Sequence, residues 1–127
     1  MTTSYWFVVL TALLPLIWVG AAKIGGTGYD NAKPRIFLEN LTGWPQRAGW
    51  AQANAYEAFP PFAAAVIIAS MAGENQALVD TLAGLFVIAR ILHGIFYILD
   101  KPTLRSLVWT IGFFAMIAIF LSIGWSD

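Results

Sequence analysis

Long apolar runs separated by short polar stretches dominate the chain. A bilayer core of roughly 30 Å needs about 20 apolar residues in a helix, and four segments approach or exceed that length: Tyr5–Ala22, Ala48–Met71, Ala77–Leu99 and Leu107–Trp125. The second segment carries a polar stripe, and the third holds Arg90 and His93. The pattern predicts an all-α integral membrane protein in which one domain, residues 1–127, folds as a bundle of four transmembrane helices at about 4–24, 45–72, 76–100 and 103–125.

Turn-forming residues separate the predicted helices. The first connection, Lys23–Gln46, is rich in glycine and turn residues and predicts a long irregular loop, of a length that is often functional. Pro45 is expected in the first turn of helix two, where its missing N–H costs nothing. Ala72–Gln76 and Asp100–Pro102 predict two short turns, so consecutive helices are antiparallel neighbours.

Composition supports a membrane class and excludes several functions. Hydrophobic residues make up 59% and charged residues 11% of the chain, whereas soluble proteins carry about 25% charged residues. The chain has no cysteine and one histidine, which excludes disulfides, thiolate chemistry, a cysteine or histidine metal cluster and covalently attached haem. We therefore expect no metal. Without a basic run, we also expect no nucleic-acid partner.

The basic residues predict an orientation. Those outside helix three all lie in or beside the first and third loops: Lys23, Lys33, Arg35, Arg47, Lys101 and Arg105. Because cytoplasmic loops carry an excess of lysine and arginine, we expect both loops in the cytoplasm and both termini on the opposite side of a bacterial inner membrane. The aromatic residues would then mark two interfaces, one with Tyr5, Trp6 and Trp125, the other with Trp44, Trp50 and Trp109.

Two polar stripes lie inside predicted helices. Helix two has residues spaced i, i+3, i+7 and i+10 on one face: Arg47, Trp50, Asn54 and Glu57. Helix three has residues spaced i, i+3 and i+7: Arg90, His93 and Tyr97. Glu57 and Arg90 reach similar depths of roughly 15–18 Å, so we infer that they face each other or a shared cavity. An isolated charge in lipid would cost on the order of 3 kcal/mol or more.

Each polar residue also has a purely structural interpretation. Glu57 and Arg90 would form an ion pair that fixes helix register, Asn54 a hydrogen bond between helices, and His93 and Tyr97 packing contacts. Arg105 would be an ordinary residue of a cytoplasmic loop. Pro60 and Pro61 remove backbone hydrogen bonds and predict a kink beyond Glu57, either beside a cavity or as a packing feature.

The stretch from Arg47 to Phe62, RAGWAQANAYEAFPPF, resembles the helix-two signature of the MAPEG family, the membrane-associated proteins in eicosanoid and glutathione metabolism. The shared order is Arg-Ala, then Asn, then Glu three residues later, then Phe-Pro. ARILHGIFY (Ala89 to Tyr97) is similar to the family's helix three, and LRS (Leu104 to Ser106) carries an arginine where helix four starts. In this stretch the chain resembles the bacterial members of uncertain activity more closely than the glutathione-using members.

The resemblance implies a homotrimer with cytoplasm-facing sites between subunits. It implies glutathione as cofactor, with Asn54 and Glu57 binding its backbone and amine and Arg90 organising Glu57 and the carboxylates. Tyr97 would contact the peptide, and Arg105 would stabilise the thiolate. His93 stands where many members have a tyrosine, and we expect it to belong to the same cofactor-binding site. Trp50 stands where glutathione-using members commonly have an arginine, and Arg47, Lys33 or Arg35 would substitute for it.

Three functions remain open at this point, of which a small transporter or channel has the least support, since the chain offers two intramembrane charges and no internal repeat. The first is a glutathione-dependent transferase or peroxidase that acts on a lipophilic small molecule entering from the lipid bilayer. The second is a non-catalytic trimeric accessory or lipid-binding subunit with the same fold. Trp50 favours the second function, because an indole does not clamp a carboxylate as a guanidinium does. Arg105 close to Tyr97 favours the first.

Overall fold

The computed structural model describes residues 1–124, which form five helices joined by short connections and no strand. They are α1 Thr3–Gly25, α2 Pro34–Glu39, α3 Gly43–Met71, α4 Gln76–Ile98 and α5 Pro102–Ile123. The four long helices begin and end within two residues of the expected positions. Trp125, assigned above to a membrane interface and to the end of the last helix, lies outside the described residues.

The structure has five helices where four transmembrane helices were predicted, because the first loop contains a short helix of its own. Pro34 begins α2, where its fixed φ suits a helix start. Phe37 on this short helix is only 8% exposed and packs with Leu41, Ala22 and Ala48. Two turns are too short to show an apolar period in the sequence, so the loop's glycine and turn residues dominated the prediction.

Three of the long helices, α1, α4 and α5, are long and apolar enough to cross a membrane. The fourth, α3, has 29 residues, but its first half carries the polar stripe. It packs against α1, α4 and α5. Pro45 lies in its first turn, and the helix continues through Pro60 and Pro61, so the kink expected there stays a prediction.

The two ends of the bundle are packed differently. Away from the first loop, large side chains from α3, α4 and α5 form the main core, including Phe62 stacked on Phe86 at 4.0 Å. Toward the first loop, α3 instead buries alanines such as Ala51 and Ala55 against α1. Small side chains let these helices approach closely, and they leave space beside α4 and α5 for polar groups.

Candidate functional site

A buried arginine anchors the polar region of the bundle. Arg90 on α4 is 4% exposed, and its Nη2 donates a hydrogen bond of 2.5 Å to Oδ1 of Asn54 on α3. Glu57, at the midpoint of α3, acts on Arg90 through its charge. The hydrogen-bond partner of Arg90 is thus the amide one turn from Glu57, and both Glu57 and Arg90 line one cavity.

This first cavity, of about 210 Å³, lies between α3, α4 and α5. Its polar end consists of Asn54, Glu57 and Arg90, and the other lining residues are apolar: Ala58, Pro61, Phe86, Trp109, Phe113 and Met116. An arginine has five N–H donors, and the bond to Asn54 uses one of them. The polar end therefore offers cationic donors and a carboxylate next to an apolar space.

A second cavity, of about 260 Å³, adjoins the first toward the α4–α5 turn. Asn54 and Trp109 line both cavities, and five further residues complete the second: His93, Tyr97, Arg105, Ser106 and Thr110. Six of the seven site residues expected from the sequence therefore line these two adjoining cavities, which are together called the recess below. They come from three helices, which is why no single sequence window contains the site.

Tyr97 organises the aromatic and cationic groups of the second cavity. The guanidinium carbon of Arg105 lies 4.4 Å from the centre of the Tyr97 ring, a distance at which a cation is attracted to an aromatic face. The His93 ring meets Tyr97 edge-on at 5.5 Å, and Trp50 contacts it at 6.2 Å. Tyr97 is thereby held by two rings while it holds the Arg105 head group.

Arg47, the seventh expected site residue, lies apart from the recess. Its Nε and Nη2 donate to the carbonyl oxygen of Ile98 at 3.1 and 3.0 Å. Ile98 is the last residue of α4, where carbonyls lack partners within the helix. Arg47 thus caps α4, and it shares the polar stripe of α3 without sharing the cavity.

The face of α5 that lines the recess was not predicted. Beyond Arg105, the wall is built by residues one, two and three turns further along: Trp109, Phe113 and Met116. Spacings of four, eight and eleven residues from Arg105 put them on one helix face. Because α5 is apolar on all sides, its sequence shows no amphipathic period. Only the position of Arg105 could have indicated which face of α5 lines the recess.

A third cavity, of about 460 Å³, lies on the other side of α3, between α3, α1 and α2. Its walls are mainly apolar, and Lys23, Arg35, Gln52 and Tyr56 contribute its polar groups. Lys33 instead lines a separate cavity under the first loop. Among residues 1–124, no three His, Asp or Glu side chains are grouped as metal ligands.

The fold and site define an all-helical integral membrane protein with a polar recess between its helices. The family model described as the MAPEG family matches residues 3–125. The chain therefore belongs to the MAPEG family, and the resemblance in RAGWAQANAYEAFPPF is confirmed. No curated protein matches the chain.

Proposed function

We propose that this protein is a membrane-bound glutathione-dependent transferase or peroxidase that acts on lipophilic electrophiles. The observation that carries the proposal is the recess, which combines a buried guanidinium, a carboxylate and an amide with a second guanidinium on Tyr97. Glutathione has carboxylates, an ammonium group and a thiol, and it requires both signs of charge in one pocket. Family membership supports the same chemistry at a coarse level.

Each residue has a definable role in this mechanism. Glu57 accepts from the ammonium group, Arg90 binds a carboxylate, and Asn54 holds Arg90 and offers its amide N–H to the peptide. Arg105 favours ionisation of the thiol, since a cation stabilises a thiolate. On ionisation the thiol proton passes to water. The thiolate then forms a C–S bond with the electrophile, and the electron pair of the breaking bond leaves with the departing group.

Assembly with further copies of the chain is part of the proposal. Tyr56 and Glu57 are exposed at the midpoint of α3, and a carboxylate facing lipid would be costly. A homotrimer, as the family resemblance implies, would cover this face and leave the recess at a subunit boundary. All four long helices would then span the membrane, and the polar face of α3 would be covered by neighbouring subunits.

The test is glutathione binding by calorimetry to the detergent-solubilised protein, followed by conjugation of an aromatic electrophile such as 1-chloro-2,4-dinitrobenzene. We expect binding at millimolar or tighter affinity and a fall in conjugation of about tenfold or more in Arg105→Ala, by analogy with the loss of a charged contact. No binding at several millimolar in a folded protein would contradict the proposal.

The second candidate is a non-catalytic accessory or lipid-binding subunit. Arg47 donates its hydrogen bonds to Ile98, and position 50 holds an uncharged indole. Both features favour this second function, because they reduce the number of cations available to glutathione. Under this function, the recess would hold a lipid head group, and lipid that remains bound after purification would be identified by mass spectrometry.

A further inference from the structure

The apolar part of the first cavity is a short space that is closed at its inner end. It extends along α5 from Trp109 to Met116, a rise of about 10 Å. Phe86 and Met116, which line it, are only 3% and 7% exposed and belong to the main core, and Phe86 stacks on Phe62. A substrate group that enters this space from the polar end therefore cannot extend further into the bundle.

Two stacked rings form the outer wall of this space. Trp109 and Phe113 both line the cavity, and their ring centres lie 5.1 Å apart with planes 7° from parallel. Rings at this distance are in contact, so an aliphatic chain cannot pass between them. Both side chains also retain exposed surface, so they stand between the cavity and the outside of the helix bundle. This pair is called the aromatic wall below.

The size and the lining of the cavity favour a compact, flat substrate group. Its volume of about 210 Å³ lies below the roughly 300–1,000 Å³ of most small-molecule sites, and its polar end takes up part of that volume. Phe86 lines it together with the two rings of the aromatic wall, and aromatic rings attract one another in offset-stacked or edge-on arrangements. An aromatic ring therefore fits this space, whereas a long acyl chain exceeds it.

Trp109 connects this space to the proposed position of the thiol. It lines both cavities and follows Arg105 by about one turn of α5, so a ring held beside Trp109 presents its reactive carbon toward Arg105. On this basis, we propose that the second substrate is an aromatic electrophile whose ring lies in the first cavity, and that the aromatic wall excludes electrophiles with long aliphatic tails. This inference rests on the proposed function and specifies its substrate class.

The experiment measures glutathione conjugation of 4-methylbenzyl chloride and 4-octylbenzyl chloride by the intact, detergent-solubilised protein. In both, the thiolate forms a C–S bond with the benzylic carbon and the electron pair of the C–Cl bond leaves with chloride. We expect kcat/KM to be about tenfold lower or more for the octyl compound, as for a group that a pocket does not accommodate. In Phe113→Ala, which opens the aromatic wall, the two values should approach within about threefold of each other.

The matched control is Phe114→Ala, because Phe114 is an exposed neighbour on α5 that lines neither cavity; it should keep the wild-type ratio. Partition of the octyl compound into detergent is the same for every variant, so a changed ratio reports the aromatic wall. Phe113→Val makes the same test if the alanine variant does not fold.

The outcomes separate this inference from the proposed function. Equal kcat/KM for the two compounds in the wild type would overturn the inference and leave the function intact. An unchanged ratio in a Phe113 variant that still binds glutathione would also overturn it. Conjugation of neither compound by the folded wild type would instead contradict the proposed function.

Discussion

At the scale of single residues, the turn between α4 and α5 shows how a helix end determines which residues are tolerated. Asp100 has a φ of +58°, in the left-handed region that most L-residues avoid. Its N–H donates to the carbonyl of Tyr97, and the Lys101 N–H donates to that of Phe96, the hydrogen bonds of a Schellman motif. Glycine is the usual residue at this position, so Asp100 retains some backbone strain.

Substitutions at Asp100 should therefore follow backbone preference. We expect Asp100→Gly to be neutral or to raise the free energy of unfolding by about 0.5 kcal/mol, and Asp100→Val to lower it by about 1–2 kcal/mol, since a β-branched residue is least tolerated at positive φ. Thermal unfolding followed by circular dichroism in detergent measures both. A valine variant as stable as the wild type would show that the turn relaxes without cost.

The faces of α3 and α4 on which the polar residues lie could be predicted from the sequence. Spacing of three, four and seven residues placed Asn54 and Glu57 on one face and Arg90, His93 and Tyr97 on another, and both faces line the recess. The pairing was less predictable: Arg90 bonds to Asn54, although opposite charge favoured Glu57. The helical period determines which face of the helix a residue lies on. Which of two polar residues one turn apart becomes the hydrogen-bond partner depends on how the helices pack.

At the scale of helices, the end of α4 explains why Arg47 differs from its neighbours on the stripe. The last four carbonyls of α4 all have partners: Leu99, Asp100 and Lys101 donate their N–H groups, and Arg47 donates to Ile98. A cation also interacts favourably with the negative end of the helix dipole. Sequence spacing could not separate this role from ligand binding, because the target is a backbone atom on another helix.

Arg47→Ala should destabilise the fold by roughly 1–3 kcal/mol, as expected for loss of hydrogen bonds from a charged group. Arg47→Lys should recover only part of that loss, since an ammonium group lacks the two-pronged geometry. The glutathione affinity of both Arg47 variants should stay within about twofold of the wild-type value, whereas Glu57→Gln should weaken binding. If Arg47→Ala weakened glutathione binding without lowering the unfolding temperature, Arg47 would be a ligand-binding residue and not a helix cap.

At the scale of the whole molecule, the exposed carboxylate of Glu57 links assembly to ligand binding. Glu57→Gln removes the charge and keeps the shape, so the four spans should remain intact. We expect a smaller assembled fraction by light scattering in detergent, or glutathione binding about tenfold weaker, as for loss of a charged hydrogen bond. Glu39→Gln on α2 is the matched control. If Glu57→Gln changed neither the mass of the assembly nor the affinity for glutathione, this interpretation of the polar stripe would be contradicted.

Orientation in the membrane determines whether the proposed site can receive its cofactor, because the site must open to the compartment that holds glutathione. The second cavity lies toward the α4–α5 turn, and Arg105 lines it; the excess of basic residues predicts that this side faces the cytoplasm. The chain has no cysteine, so single cysteines report position without background. In intact cells, Ala72→Cys should react with a membrane-impermeant maleimide, whereas Ala32→Cys and Lys101→Cys should react only after lysis. The reverse pattern would place the recess outside the cytoplasm and remove its access to cytoplasmic glutathione.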